Sequence, residues 1–224
     1  LAVVHRLTLG KMQNPVRGFV HGSAALAAMA GLVVLLALNP GGLSLTLALA
    51  VYAGSLVLMF TVSSLYHSIP WSDRWKSRMQ RLDHSMIFLV VAGTYTPIAV
   101  VSLEGTWRSA TLAAVWAGAV VGIVLKFALR GVAMGVSVTI YQLMGWSAAI
   151  PMWQIGRRLG ADAVVLIGIG GILYTVGMVF MLTGRPRLFP RVFSSHELFH
   201  VLVVAASAVH FAVMVRDVLP AGAG

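Results

Sequence analysis

His196 and His200 lie four residues apart in an otherwise apolar stretch. On a helix that spacing puts two imidazoles on one face, about one turn apart, where both can hold one metal ion. Catalytic zinc takes three protein ligands and a water, and His67 is the best candidate for the third nitrogen. Ser63 precedes His67 by four and shares its face, in reach of a supporting role. Asp83 can hold the water at the metal or accept its proton. Three neutral histidines leave zinc at +2, so Asp83 and a hydroxide would bring the site to neutrality, as a low-dielectric setting favours. Three imidazoles without a thiolate point to Zn2+ rather than a soft metal. There are no cysteines, which excludes disulfides, cysteine zinc sites and iron–sulfur clusters.

Each of these residues also has a structural reading. A histidine within a membrane commonly hydrogen-bonds a neighbouring helix, and Ser63 could be a packing serine. Asp83 could cap a helix or pair with Arg81. His196-Glu197-Leu198-Phe199-His200 matches the H-E-x-x-H pattern in which the glutamate is the general base of a metalloprotease. That reading needs a distant carboxylate ligand, a role for Asp83 that would leave His67 unexplained. His21 is open between the site and packing. His84, next to Asp83, is expected to point elsewhere, and His210 is expected to be structural.

The elements that must position these residues are transmembrane helices. Of 224 residues, 59% are hydrophobic and 10% charged, against about 25% charged in a soluble domain. Seven apolar stretches, roughly 17–38, 43–66, 84–103, 109–129, 134–155, 162–183 and 196–215, are each near the 20 residues that cross a bilayer. The chain reads as one integral membrane domain over 1–224, an all-α seven-helix bundle with no internal repeat. The first 16 residues are polar or mixed and do not read as a cleavable signal peptide.

The formal charge of +10 would suit nucleic acid if the basic residues formed one stripe. They sit instead at segment ends. Arg6, Lys11, Arg17, Arg74, Lys76, Arg78, Arg81, Lys126, Arg130, Arg185, Arg187 and Arg191 fall on one side, and Arg108, Arg157, Arg158 and Arg216 on the other. This bias makes the N-terminus cytoplasmic and the C-terminus outside. On that topology His21, His67, Asp83, His84, His196 and His200 all gather near the cytoplasmic face, although the histidines played no part in setting it. Between the second and third spans, Trp71, Trp75, Met79 and Leu82 recur at helical spacing among Arg74, Lys76, Arg78 and Arg81. Residues 67–83 therefore read as a short interfacial helix on anionic headgroups.

Several runs resemble the progestin and adipoQ receptor family. Ser195 to Ala206, with His210-Phe211 beyond it, is similar to that family's last helix. Ser63-Ser64-Leu65-Tyr66-His67 resembles its S-x-x-x-H motif. Arg81-Leu82-Asp83-His84-Ser85 with Gly93-Thr94-Tyr95-Thr96-Pro97 resembles its third helix, and Val20-His21-Gly22 resembles the opening of the bacterial hemolysin III branch. The resemblance implies seven helices, a cytoplasmic N-terminus and zinc on His67, His196 and His200, with Asp83 on the zinc-bound water and Ser63 nearby. The family's receptors usually carry Gln where this chain has Glu197, which weakens the protease reading.

Adiponectin receptors are linked to ceramide hydrolysis, and alkaline ceramidases share a similar Ser, Asp and three-His pattern. The resemblance thus implies zinc-dependent hydrolysis of a lipid amide, connected with lipid homeostasis in a bacterial plasma membrane. An acyl chain would enter laterally from the bilayer. The hemolysin name implies a different class, a pore-forming or receptor-like protein in which zinc is structural.

Overall fold

In the computed structural model the described residues are 12–128, 134–189 and 192–223, and they form an all-helical bundle. Helix α1 spans Pro15–Leu38, with proline at the first position, where its missing N–H costs nothing. A turn at Asn39 reverses the chain. The Asn39 side chain accepts from the Gly41 N–H at 3.0 Å and donates to the Thr46 hydroxyl at 2.8 Å. Helix α2 then returns over Leu43–Ser68.

Helix α3, Asp73–Ser102, holds 30 residues. At 1.5 Å per residue it is about 45 Å long, beyond the roughly 30 Å of a bilayer core. This corrects the expected layout of residues 67–83. Trp75, Met79 and Leu82 are helical, but in the first turns of α3 rather than in a separate interfacial helix. An apolar run marks where lipid begins, whereas backbone hydrogen bonds continue through Arg81 and Asp83 without interruption. Pro97 sits inside α3, where it lacks the usual N–H. The Thr94 and Thr96 hydroxyls donate to Val90 O and Ala92 O at 2.8 Å in the preceding turn.

Helix α4 covers Gly105–Ala128, followed by α5 at Met134–Trp146. The expected single span over 134–155 is broken. A 3-10 turn occupies Ser147–Ala149, Pro151 caps the next segment, and α6 covers Met152–Leu159. Proline interrupts the helical hydrogen-bond ladder here. At 13 residues, α5 measures roughly 20 Å. Helices α7, Ala161–Thr183, and α8, Ser195–Val213, complete the bundle, and α8 runs on through a π-helical stretch at Met214–Val218. Among the described residues, six helices are long and apolar enough to cross a membrane: α1 to α4, α7, and α8 with its continuation. Arg6, Lys11, Arg130 and Arg191, used above for orientation, lie outside the described residues, as does the end of the expected fourth span at 129.

The surface confirms what the composition implies. Leu26, Leu43, Leu143, Ile150 and Trp153 are each more than two-thirds exposed, an outward apolar shell that only lipid covers at this extent. Inside, small residues allow close approach. Gly122 of α4 lies against the Phe88 ring of α3, and Gly170 of α7 lies against the His210 imidazole of α8; a methyl group at either would overlap the ring.

Candidate metal centre

The last turn of α2 and the first turns of α8 meet at one end of the bundle. The His67 and His200 ring centroids are 4.8 Å apart, His67 and His196 are 5.5 Å apart, and His196 stacks on His200 at 5.1 Å. One nitrogen from each of His67, His196 and His200 lies within 4.8 Å of the other two. His67 and His200 are almost wholly buried, and Nε2 of each has no hydrogen-bond partner. A buried polar atom left unpaired costs about 1–3 kcal/mol. Two such atoms beside a third imidazole fit a cation, which would satisfy them together. Nitrogens on tetrahedral zinc sit roughly 3.3 Å apart at bond lengths of 2.0–2.1 Å, so a bound ion would draw the rings inward.

Ser63, one turn before His67 on α2, is buried and shares a cavity wall with Asp83 of α3. Asp83 stands outside the three-histidine group. Ser63, Asp83, His196 and His200 line one cavity of about 150 Å³, whose walls are overwhelmingly apolar. An apolar cavity of that volume accommodates a small apolar group. It continues along the bundle axis past Phe199 and Val203 to His210, ten residues and so roughly 15 Å beyond His200 on α8. His84, expected to point away, is outside the three-histidine group; it borders the same long cavity, and its carbonyl accepts from the Tyr141 hydroxyl at 2.9 Å. His210 is buried against α7, with Nε2 at 3.3 Å from Ile167 O.

Glu197 is committed elsewhere. One carboxylate oxygen accepts from Arg17 Nε of α1 at 2.7 Å; the other accepts from the Ser194 N–H at 2.9 Å and lies 3.1 Å from its hydroxyl. With Ser194 at the N-cap and Glu197 three residues on, this is a capping box. Both oxygens are engaged in holding α8, so the H-E-x-x-H match is a helix-start signal here.

A family model described as "Haemolysin-III related" matches residues 10–211. The chain belongs to this family. The match takes in every residue of the site. Hemolysin-3 of Bacillus cereus is 30% identical over 217 residues, 96% of each chain. A Hemolysin-3 homolog of Bacillus subtilis (strain 168) is 31% identical over 193 residues, 85% of this chain and 87% of its own. The human monocyte to macrophage differentiation factor is 24% identical over 168 residues, 72% of this chain and 66% of its own. Family and helices together make this a multi-pass membrane protein.

Two further residues stand beside the chemistry, one whose role the sequence left open and one it read only as a charge. His21, on α1, is buried against His200, their ring centroids 4.0 Å apart. Arg17, counted as an orientation charge, is 6% exposed and bound to Glu197. The available signal was a matching pattern: Arg17 and His21 are four apart on α1, and Glu197 and His200 are three apart on α8.

Proposed function

We propose that this chain is a zinc-dependent hydrolase of lipid amides in a bacterial plasma membrane. The observation that carries this reading is the pair of unpartnered Nε2 atoms on buried His67 and His200, beside His196 at the head of an apolar cavity. His67, His196 and His200 would hold the ion. Zinc at such a site supplies Lewis acidity for attack of water on a carbonyl. The apolar walls would take the part of the acyl chain nearest the amide and exclude bulk water, which strengthens charge interactions at the reacting end. Ser63, on the same cavity wall, would hold the Asp83 carboxylate through its hydroxyl. Asp83 accepts a proton from the attacking water at a carboxylate oxygen. As the carbon–nitrogen bond breaks, it returns that proton to the departing amine nitrogen.

The basic first turns of α3, with Arg74, Lys76, Arg78 and Arg81, would rest on anionic headgroups at the cytoplasmic face. The amide of a lipid seated there comes level with the histidines.

Elemental mass spectrometry of the purified protein tests the metal. About one zinc per chain is expected, lost in the His196→Ala/His200→Ala double variant. Release of fatty acid from an N-acyl sphingoid base in mixed micelles tests the reaction. A folded wild-type chain without metal would sink the hydrolase reading.

The name of two relatives, Hemolysin-3, favours a second reading, a membrane-permeabilising protein whose metal ties α2 to α8. It requires dye leakage from liposomes containing the purified protein, and tight liposomes at saturating protein would remove it.

A further inference from the structure

Helix α1 meets the metal-bearing turns of α8 through two polar pairs one turn apart. Arg17 binds Glu197, and His21 binds His200. His200 Nδ1 lies 2.9 Å from His21 Nε2 and 3.1 Å from His21 Nδ1, while His200 Nε2 has no partner. The His21 ring is 3% exposed, and Phe60 of α2 packs edge-on to it at 5.0 Å and 76°. A neutral imidazole carries one donor and one acceptor nitrogen. If His200 Nδ1 donates to His21, the remaining Nε2 presents a lone pair. In the other tautomer an N–H would be buried at Nε2 with nothing to accept it, at a cost of about 1–3 kcal/mol.

We infer that His21 is a positioning residue: it accepts the Nδ1 proton of His200 and so fixes the tautomer and ring orientation that offer His200 Nε2 to the metal, without being a ligand itself. This rests on the metal reading above. Metal-binding histidines almost always donate their other ring N–H to a partner that sets the tautomer. In this chain the partner is an imidazole delivered by a different helix. The order of packing follows from that. Helix α1 must be docked before His200 is preset, and the docking contacts are specific. The Asn14 N–H donates to His67 O at 2.9 Å, and the Ser64 hydroxyl donates to Gly18 O at 2.8 Å. The same end of α1 is therefore fastened to both metal-bearing helices.

The test is zinc affinity by chelator competition on the purified full chain, alongside the melting temperature of the metal-free protein. His21→Leu removes the acceptor while keeping an apolar filler. It is expected to weaken zinc about 10–100-fold. His21→Gln restores an acceptor oxygen and is expected to recover most of that loss, which a purely space-filling role would not predict. Unchanged affinity in His21→Leu, or equal weakness in both variants, overturns the inference and leaves the metal reading standing. X-ray absorption on the wild-type zinc protein decides the ligand question without any variant. Three imidazoles are expected, and four would make His21 a ligand and overturn its positioning role. A wild-type chain that binds no zinc rejects the metal reading, and this inference with it.

Discussion

Arg17 and Glu197 meet across 180 residues of sequence, Nε to Oε1 at 2.7 Å, with both side chains under 10% exposed. The pair clamps the start of α1 to the start of α8, and Glu197 also closes the capping box there. Removing one partner of a buried ion pair strands the other charge and costs about 3–5 kcal/mol. Arg17→Leu and Glu197→Leu are each expected to lower the melting temperature in detergent sharply. The double variant should lose less than the sum of the two single losses, because the Arg17–Glu197 contact is lost only once. Losses that simply add in the double variant would show that the two groups act independently.

Asp83 and Ser63 are expected to separate chemistry from metal retention. Asp83→Asn keeps the shape and a polar group but cannot take a proton. Turnover of a lipid amide should fall about 10²–10⁴-fold, the usual contribution of a positioned acid–base group, while zinc content stays near one per chain. Ser63→Ala removes the hydroxyl proposed to hold the carboxylate; a hydrogen bond is worth about 1 kcal/mol, so roughly a fivefold loss is expected. Zinc content and turnover are read on the same samples. Loss of zinc in Asp83→Asn would instead make the aspartate a holder of the ion.

The histidines were legible because ionisable groups in apolar segments are conspicuous and four-residue spacing fixes a helix face. Arg17 was not, because an arginine near a span end reads equally well as an orientation charge, and nothing local points to Glu197. His21 needed the packing of α1 on α8 before it could be placed. His84 stays outside the three-histidine group, as its adjacency to Asp83 suggested. The break at 147–151 was hidden by an unbroken apolar run, in which hydrophobicity carries no information about the ladder. Pro151 was its local signal.

That break is held by Tyr95, whose hydroxyl lies 2.8 Å from both Met144 O and Gly145 O and 3.0 Å from the Ser147 hydroxyl. One α3 side chain therefore caps the end of α5. Tyr95→Phe should cost about 1 kcal/mol and speed hydrogen–deuterium exchange of amides at the joint, including Ile150, whose N–H donates to Ser147 O at 3.1 Å. Exchange confined to its wild-type rate across 146–152 would mean that the 3-10 turn is self-supporting.

The path of the chain predicts seven crossings even though α5 alone is short. Gly122 of α4 packs against Phe88 of α3, and Lys126 one turn beyond it is then level with His84 one turn before Phe88, so α4 ends on the histidine side. Arg158, at the end of α6, donates to Ala221 O at 3.0 Å, beyond the far end of α8. Between Lys126 and Arg158 the chain therefore travels from one end of the bundle to the other. With the basic bias, the expectation to be tested is that the histidine side faces the cytoplasm and the C-terminus lies outside. A phosphatase fused at the C-terminus should be active, and a fluorescent protein fused there dark, with the same pattern in the Gly41-Gly42 turn. A bright C-terminal fusion with an active phosphatase at Gly41-Gly42 would mean an even number of crossings. Reversal at both positions would keep the odd number and invert the protein.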